Sequence, residues 1–226
     1  MATFALLHGA WHDASCWDRV TKALEALGHT TAAPELPLHD PIATYEQRIQ
    51  PALEALNGAE DPVIVVAHSQ SSSLGPLVAA ARPVSLVVHL CPRMGGFEPP
   101  DGAPGAFREG LPFPPGRPDG TSVWDPEAAI DVMYPRLDPA TARELAQRLR
   151  PMAMPPDDYP LREHPDVPAA LIYAADDEFF EPAFERFMAR ELLGIDAIEI
   201  AGGHFVMAEG PEALAQLLDG LARDSA

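Results

Sequence analysis

The feature that most constrains this chain is the alternation, along its length, of short apolar runs with longer amphipathic segments. A strand buried on both faces reads as a near-continuous apolar run, whereas a helix lying on a sheet shows a single apolar stripe. The runs at residues 4–7, 30–33, 63–67, 86–90, 169–174 and 197–200 are each too short for a helix and predict strands. Between them, helices are predicted at 16–27, 45–56, 70–82, 182–193 and 211–223, the first, second and fourth closed by Gly28, Asn57-Gly58 and Gly194. This order predicts an α/β protein: a mainly parallel sheet of about six strands with helices on both faces, right-handed crossovers, and a site at the carboxyl ends of the strands.

The alternation stops between Pro92 and Pro168. Prolines and glycines crowd residues 95–120, and Asp125-Pro126 and Asp138-Pro139 each put a capping residue before a proline, predicting two short helices that run to about residues 134 and 150. So long an interruption of a compact domain is usually functional or disordered. Apolar residues within it, among them Phe97, Phe107, Phe113, Trp124, Met152 and Met154, need something to pack against, which favours a lid. The expectation is one domain over residues 1–226 with a lid insertion at 93–166.

Thirty-four acidic against fifteen basic side chains give a formal charge of −19, which argues against nucleic acid and membrane partners and favours a neutral small-molecule substrate. Two cysteines, Cys16 and Cys91, without C-x-x-C spacing, fit a reduced cytoplasm rather than a disulfide scaffold. The first residues lack signal-peptide character, and no apolar run is long enough to span a bilayer. Histidines, cysteines and carboxylates show no zinc-like spacing, so neither a metal nor a cofactor is expected; a single lysine, Lys22, argues against Schiff-base chemistry.

The strand at 63–67 runs into His68-Ser69-Gln70-Ser71-Ser72 and then a helix, the setting of a nucleophile elbow. A serine on such a turn needs small residues two before and two after; Ala67 and Ser71 meet that need. Ser71 also has small neighbours, but Ser69 lies just beyond the strand end while Ser71 falls inside the predicted helix. A polar helix start is the plain alternative for these serines. It loses ground because a carboxylate cluster, Asp176-Asp177-Glu178, follows the strand at 169–174, and Gly202-Gly203-His204 follows the one at 197–200. Serine, acid, histidine is the chain order such an elbow requires. Spacing leaves open which of the three acids serves. His8 and His68 sit near the same edge, with hydrogen-bonding or turn roles expected.

Four segments, His8-Gly9-Ala10-Trp11, Ala67-His68-Ser69-Gln70, Asp177 to Pro182, and Gly202-Gly203-His204, together resemble the α/β-hydrolase superfamily, and within it the plant methylesterase and hydroxynitrile lyase group with its bacterial relatives. The resemblance spans nearly the whole chain. It implies the α/β-hydrolase fold, Asp177 as the acid because it stands directly before a glutamate and five residues before a proline, and an oxyanion hole from the backbone N–H groups of Ala10 and Gln70. Glycines usual in the family are replaced by Ala67 and Ser71. Lyase members carry a lysine after the histidine and a threonine in the oxyanion loop, where this chain has Phe205 and Ala10; hydrolysis is therefore favoured over cyanohydrin cleavage.

The chemistry this implies is attack of Ser69 on an ester carbonyl, His204 taking its proton and Asp177 orienting the imidazole, through an acyl-enzyme. Two rivals use the same fold: a lyase, retro-aldol or hydroxynitrile-lyase-like, with His204 moving a proton without acylation, and a binding protein that has lost turnover. The apolar residues of the insertion suggest a pocket for small or medium neutral esters, with Trp11, Phe97 and Trp124 as candidate walls.

Overall fold

Six strands form one sheet in the order β2-β1-β3-β4-β5-β6 in a computed structural model that describes residues 1–60 and 62–225. They are β1 (Thr3–Leu7), β2 (Thr30–Ala32), β3 (Val63–His68), β4 (Leu86–Leu90), β5 (Ala169–Ala174) and β6 (Ile198–Ile200). Every neighbouring pair is parallel, so the mainly parallel sheet expected is parallel throughout.

Side chains alternate faces along a strand, and both faces are covered. Phe4, Leu6, Ile64 and Val66 pack on one side with α1 (Asp18–Ala26) and α8 (Pro211–Asp224), through residues such as Leu24 and Leu218. Ala5, Leu7, Val63 and Val65 pack on the other with α2 (Tyr45–Ala55) and α3 (Leu74–Ala81), through Ile49 and Leu77. Each large aliphatic side chain so buried stabilises the fold by about 1.5–3 kcal/mol. This two-sided burial is why the strands lack a polar alternation.

Helix boundaries differ from expectation where side chains redirect the backbone. The helix expected from residue 70 begins as a 3₁₀ turn over Ser69–Ser73, and α3 follows. Serine hydroxyls compete for local carbonyls there: Ser73 Oγ donates to the Gln70 carbonyl at 3.1 Å. The helix expected at 16–27 likewise opens as a 3₁₀ turn, Ala14–Trp17, capped by the Asp13 side chain.

The connection from β4 to β5 contributes no strand to the sheet and carries α4 (Pro126–Met133) and α5 (Pro139–Gln147). Asp125 and Asp138 cap them as expected, each accepting two backbone N–H groups. The second ends three residues short of position 150, because the Arg150 N–H is drawn to the Trp11 carbonyl at 2.8 Å. The same connection is stitched to the loop after β5: Arg108 N–H donates to Phe179 O at 2.9 Å and Glu181 N–H to Ala106 O at 3.0 Å. α6 (Pro182–Leu193) and α7 (Val206–Glu209) complete the chain's helices among the described residues, none of which is long and apolar enough to cross a membrane.

Arg48 of α2, only 1% exposed, spends its guanidinium on three carbonyls: Ala43 at 3.0 Å, Asp40 at 3.0 Å and, in the long connection, Ala153 at 2.9 Å. Removing the donors strands the buried carbonyls of Ala43 and Ala153 and the partly buried one of Asp40, and a buried acceptor left unpaired costs about 1–3 kcal/mol. Arg48→Met should therefore lower the unfolding free energy by about 3 kcal/mol or more in urea melts; a loss within about 0.5 kcal/mol of zero would show that these bonds carry no net stability.

Candidate active site

β3 delivers Ser69 to the carboxyl edge of the sheet in a left-handed conformation, φ 52°. Among the described residues three other non-glycine residues are left-handed, Trp11 (φ 61°), Cys91 (φ 43°) and Met94 (φ 51°), and all follow β1 or β4 at this same edge. Such conformations cost about 1–3 kcal/mol each and persist only where packing over-determines them. Two glycines do this work. A Cβ on Gly9 would lie 2.7 Å from His68 Nδ1 and 3.1 Å from Ser69 Cβ; one on Gly75 would lie 3.1 Å from both Ala67 Cβ and Val87 Cγ1. The room that the family's customary glycines give beside the serine is thus supplied here from the neighbouring loop and from α3. Ser71 Oγ turns away from the cavity and donates to the His8 carbonyl at 2.5 Å.

Ser69, His204 and Asp177 come together from three separate strand ends. Ser69 Oγ donates to His204 Nε2 at 2.9 Å, and His204 Nδ1 donates to Asp177 Oδ2 at 2.7 Å. Asp177 Oδ1 accepts the backbone N–H groups of Phe179 and Phe180 at 2.7 and 2.8 Å, which satisfies a carboxylate that is 1% exposed. The other two acids do different things. Asp176 is exposed and pairs with Arg136 at 3.7 Å. Glu178 accepts the His204 backbone N–H at 2.8 Å and is itself ion-paired with Arg136 of the long connection, bracing the loop that carries the histidine. In such a line of contacts the imidazole can take the hydroxyl's proton while the carboxylate fixes its tautomer and steadies its cation.

The neighbouring histidines are hydrogen-bonded as neutral rings. His68 Nε2 donates to the His204 carbonyl at 3.0 Å; His8 donates to Gly9 O and accepts the Leu36 N–H. His12 donates to Ala10 O at 2.8 Å and accepts the Tyr134 hydroxyl at 2.6 Å. Burial pushes all three down from the usual histidine value, His12 to about 4. Burial, with the nearby Asp177 charge, pushes Glu185 of α6 up; neither of its carboxyl oxygens has a hydrogen-bond partner among the described residues. Cys91, Asp177 and His204 offer ligand atoms within 4.8 Å of one another, yet the His204 and Asp177 atoms face each other at hydrogen-bond distance, where no metal ion fits between them.

Ser69 opens onto a cavity of about 310 Å³. Ala10, Trp11 and Gln70 line it, as do Phe107, Phe113, Met152 and Met154 of the long connection. Phe97 and Trp124, expected as walls, do not. Phe97 packs on Tyr159 with ring centroids 5.1 Å apart, and Trp124 sits behind Trp11 at 5.9 Å. Both are buried core residues, their rings spent on these aromatic contacts rather than on the cavity. Sequence reasoning misses Phe179 and Phe180, two and three positions after Asp177, and Arg93, the first charged residue after β4, besides Pro114, Gly116 and Ser122 of the long connection. Phe179 and Phe180 also flank the His204 ring at 4.7 and 5.2 Å, shielding it from water. A larger, more open depression of about 700 Å³, beside Leu161, His164 and Leu192, includes none of Ser69, Asp177 or His204.

Comparison with known proteins agrees on the fold. Methylesterase 9 of Arabidopsis thaliana is 34% identical over 97 residues, a match covering 39% of this chain and 38% of that protein's length. A methylesterase structure from Arabidopsis superposes with a TM-score of 0.74 at 19% identity, covering 99% of this chain and 100% of the other. A pyrethroid hydrolase structure from Sphingobium faniae JZ-2 gives 0.71 at 22% identity, covering 99% and 98%. Residues 4–217 match the profile of the alpha/beta hydrolase family, and the chain belongs to that family.

Proposed function

We propose that the protein is a serine esterase that cleaves small or medium carboxylic esters through an acyl-enzyme on Ser69. The observation that carries this reading is the buried line of contacts from Ser69 to His204 to Asp177, at 2.9 and 2.7 Å, at the floor of a largely apolar cavity. Ser69 attacks the ester carbonyl as His204 takes its proton; the imidazolium, held by Asp177, then protonates the departing alkoxide. Water, deprotonated by His204, attacks the acyl-serine and releases the acid. The backbone N–H groups of Ala10 and Gln70, which flank Ser69 in the cavity, stabilise the oxyanion. Residues 93–166 act as a lid insertion on a single α/β domain, giving the substrate its apolar walls. The methylesterase and pyrethroid hydrolase names of the similar proteins support an ester as substrate.

Ser69→Ala should reduce p-nitrophenyl ester hydrolysis by about 10⁴-fold or more, and Asp177→Asn by about 10³–10⁴-fold, in steady-state assays. A fluorophosphonate should add its mass to the Ser69 peptide of the wild type. Labelling confined to another residue, or more than a tenth of the rate surviving in Ser69→Ala, would overturn the assignment.

Acid should weaken the fold. His12 is pushed down to about 4 by burial, so between pH 6.5 and about 4 the unfolded chain binds a proton that the folded one does not. Stability then falls with falling pH across that window, by up to about 1.4 kcal/mol per pH unit for this one group, and the decline ceases below it. His12→Asn should make urea midpoints measured from pH 7 to 4 less steep; an unaltered slope would exclude His12 as a source.

A further inference from the structure

The cavity at Ser69 differs electrostatically from the molecule that contains it. The chain as a whole carries a formal charge of −19, yet among the described residues Arg93 is the only charged one lining this cavity, and no carboxylate among them lines it. Arg93 is half-buried and held at both ends. Its backbone N–H donates to the Ser69 carbonyl at 3.2 Å, and the next residue, Met94, donates its N–H to Ser72 Oγ at 3.0 Å. It stands between two left-handed residues, Cys91 and Met94, so strain is accepted in the backbone on either side of this one cation.

Its guanidinium is largely unspent. Nη1 donates to Gln70 Oε1 at 2.8 Å and touches Met154 Sδ at 3.6 Å, which aims the group along the cavity wall. Among the described residues Arg93 takes part in no salt bridge, unlike Arg108, Arg136 and Arg150 of the same connection. Arg48, which is buried, engages all three of its guanidinium nitrogens with carbonyls; Arg93 keeps Nε and Nη2 without acceptors among the described residues. A planar fork with free donors, in a cavity that Phe107, Phe113 and Met152 also line, matches a carboxylate, and the apolar walls strengthen the attraction relative to water.

We infer that Arg93 seats a carboxylate borne by the substrate, so that the preferred esters carry one anionic group beside the scissile bond; this rests on the esterase reading above. It departs from the neutral substrate that the net charge suggests. Net charge governs approach from a distance and is screened by salt, whereas the seated substrate meets the local cation. The reaction is otherwise unchanged: ester and water give acid and alcohol, and the carboxylate at Arg93 neither gains nor loses a proton.

The test compares charged and neutral partners of matched size. Monomethyl adipate against dimethyl adipate places the carboxylate on the acyl side; the acetate ester of ω-hydroxyhexanoate against hexyl acetate places it on the alcohol side. Wild type should favour the charged member of at least one pair in kcat/KM. Arg93→Gln should lower that charged-to-neutral ratio about 10-fold or more, and Arg93→Lys should retain part of it, as expected for a lost charge-assisted contact. Neutral partners favoured in both pairs, or a ratio that Arg93→Gln leaves unchanged, would overturn the inference while leaving the esterase intact. If no ester in either pair is hydrolysed and fluorophosphonate leaves Ser69 unlabelled, the esterase reading itself fails, and this inference with it.

Discussion

The close approach of three backbone segments at the end of β3 is the constraint on which the rest of the site depends. Ser69 must adopt a left-handed conformation to present its hydroxyl, and that conformation survives only because Gly9 lets the loop after β1 lie against His68 and Ser69, while Gly75 lets α3 lie against Ala67 and Val87. The Ser71 hydroxyl, bonded to the His8 carbonyl, ties the same two segments. Within this frame the serine's position follows from packing rather than from any single hydrogen bond.

The polar part of the site is arranged so that one buried charge is fully served. Asp177 receives an imidazole N–H on one oxygen and two backbone N–H groups on the other, which replaces the water it has lost. Around it, burial pushes the groups that would compete toward their neutral forms: it lowers His8, His12 and His68, and raises Glu185 and Cys91. Aromatic rings of Phe179, Phe180 and Phe205 surround the His204 imidazole. A dry setting of this kind strengthens every electrostatic contact within it.

The long connection between β4 and β5 is joined to the site at several depths. Arg136 pairs with Glu178, which holds the His204 amide; Arg108 donates to the Asp177 carbonyl at 2.9 Å; and Met152 and Met154 reach the cavity beside Arg93. The exposed rings of Phe107 and Phe113, 5.3 Å apart, form an apolar rim at its mouth. The same segment therefore shapes the cavity and braces the loops that carry the acid and the histidine, which couples the pocket's form to the geometry at Ser69.

Local pattern by itself determined the sheet's strands, the two Asp-Pro helix starts and the positions of Ser69 and His204, because two-sided burial, capping and a strand-to-helix turn each leave a short-range signature in residue type. Spacing did not choose among Asp176, Asp177 and Glu178; that was decided by which carboxyl faces His204 and which face solvent and Arg136. Nor did it tell Phe97 and Trp124, turned into the core, from Phe107 and Phe113 at the cavity, or mark Arg93 as a cation lining that cavity. These depend on how an irregular segment of more than seventy residues folds back over the sheet, and a segment without periodicity leaves the direction of each side chain to contacts made by residues far away in the chain.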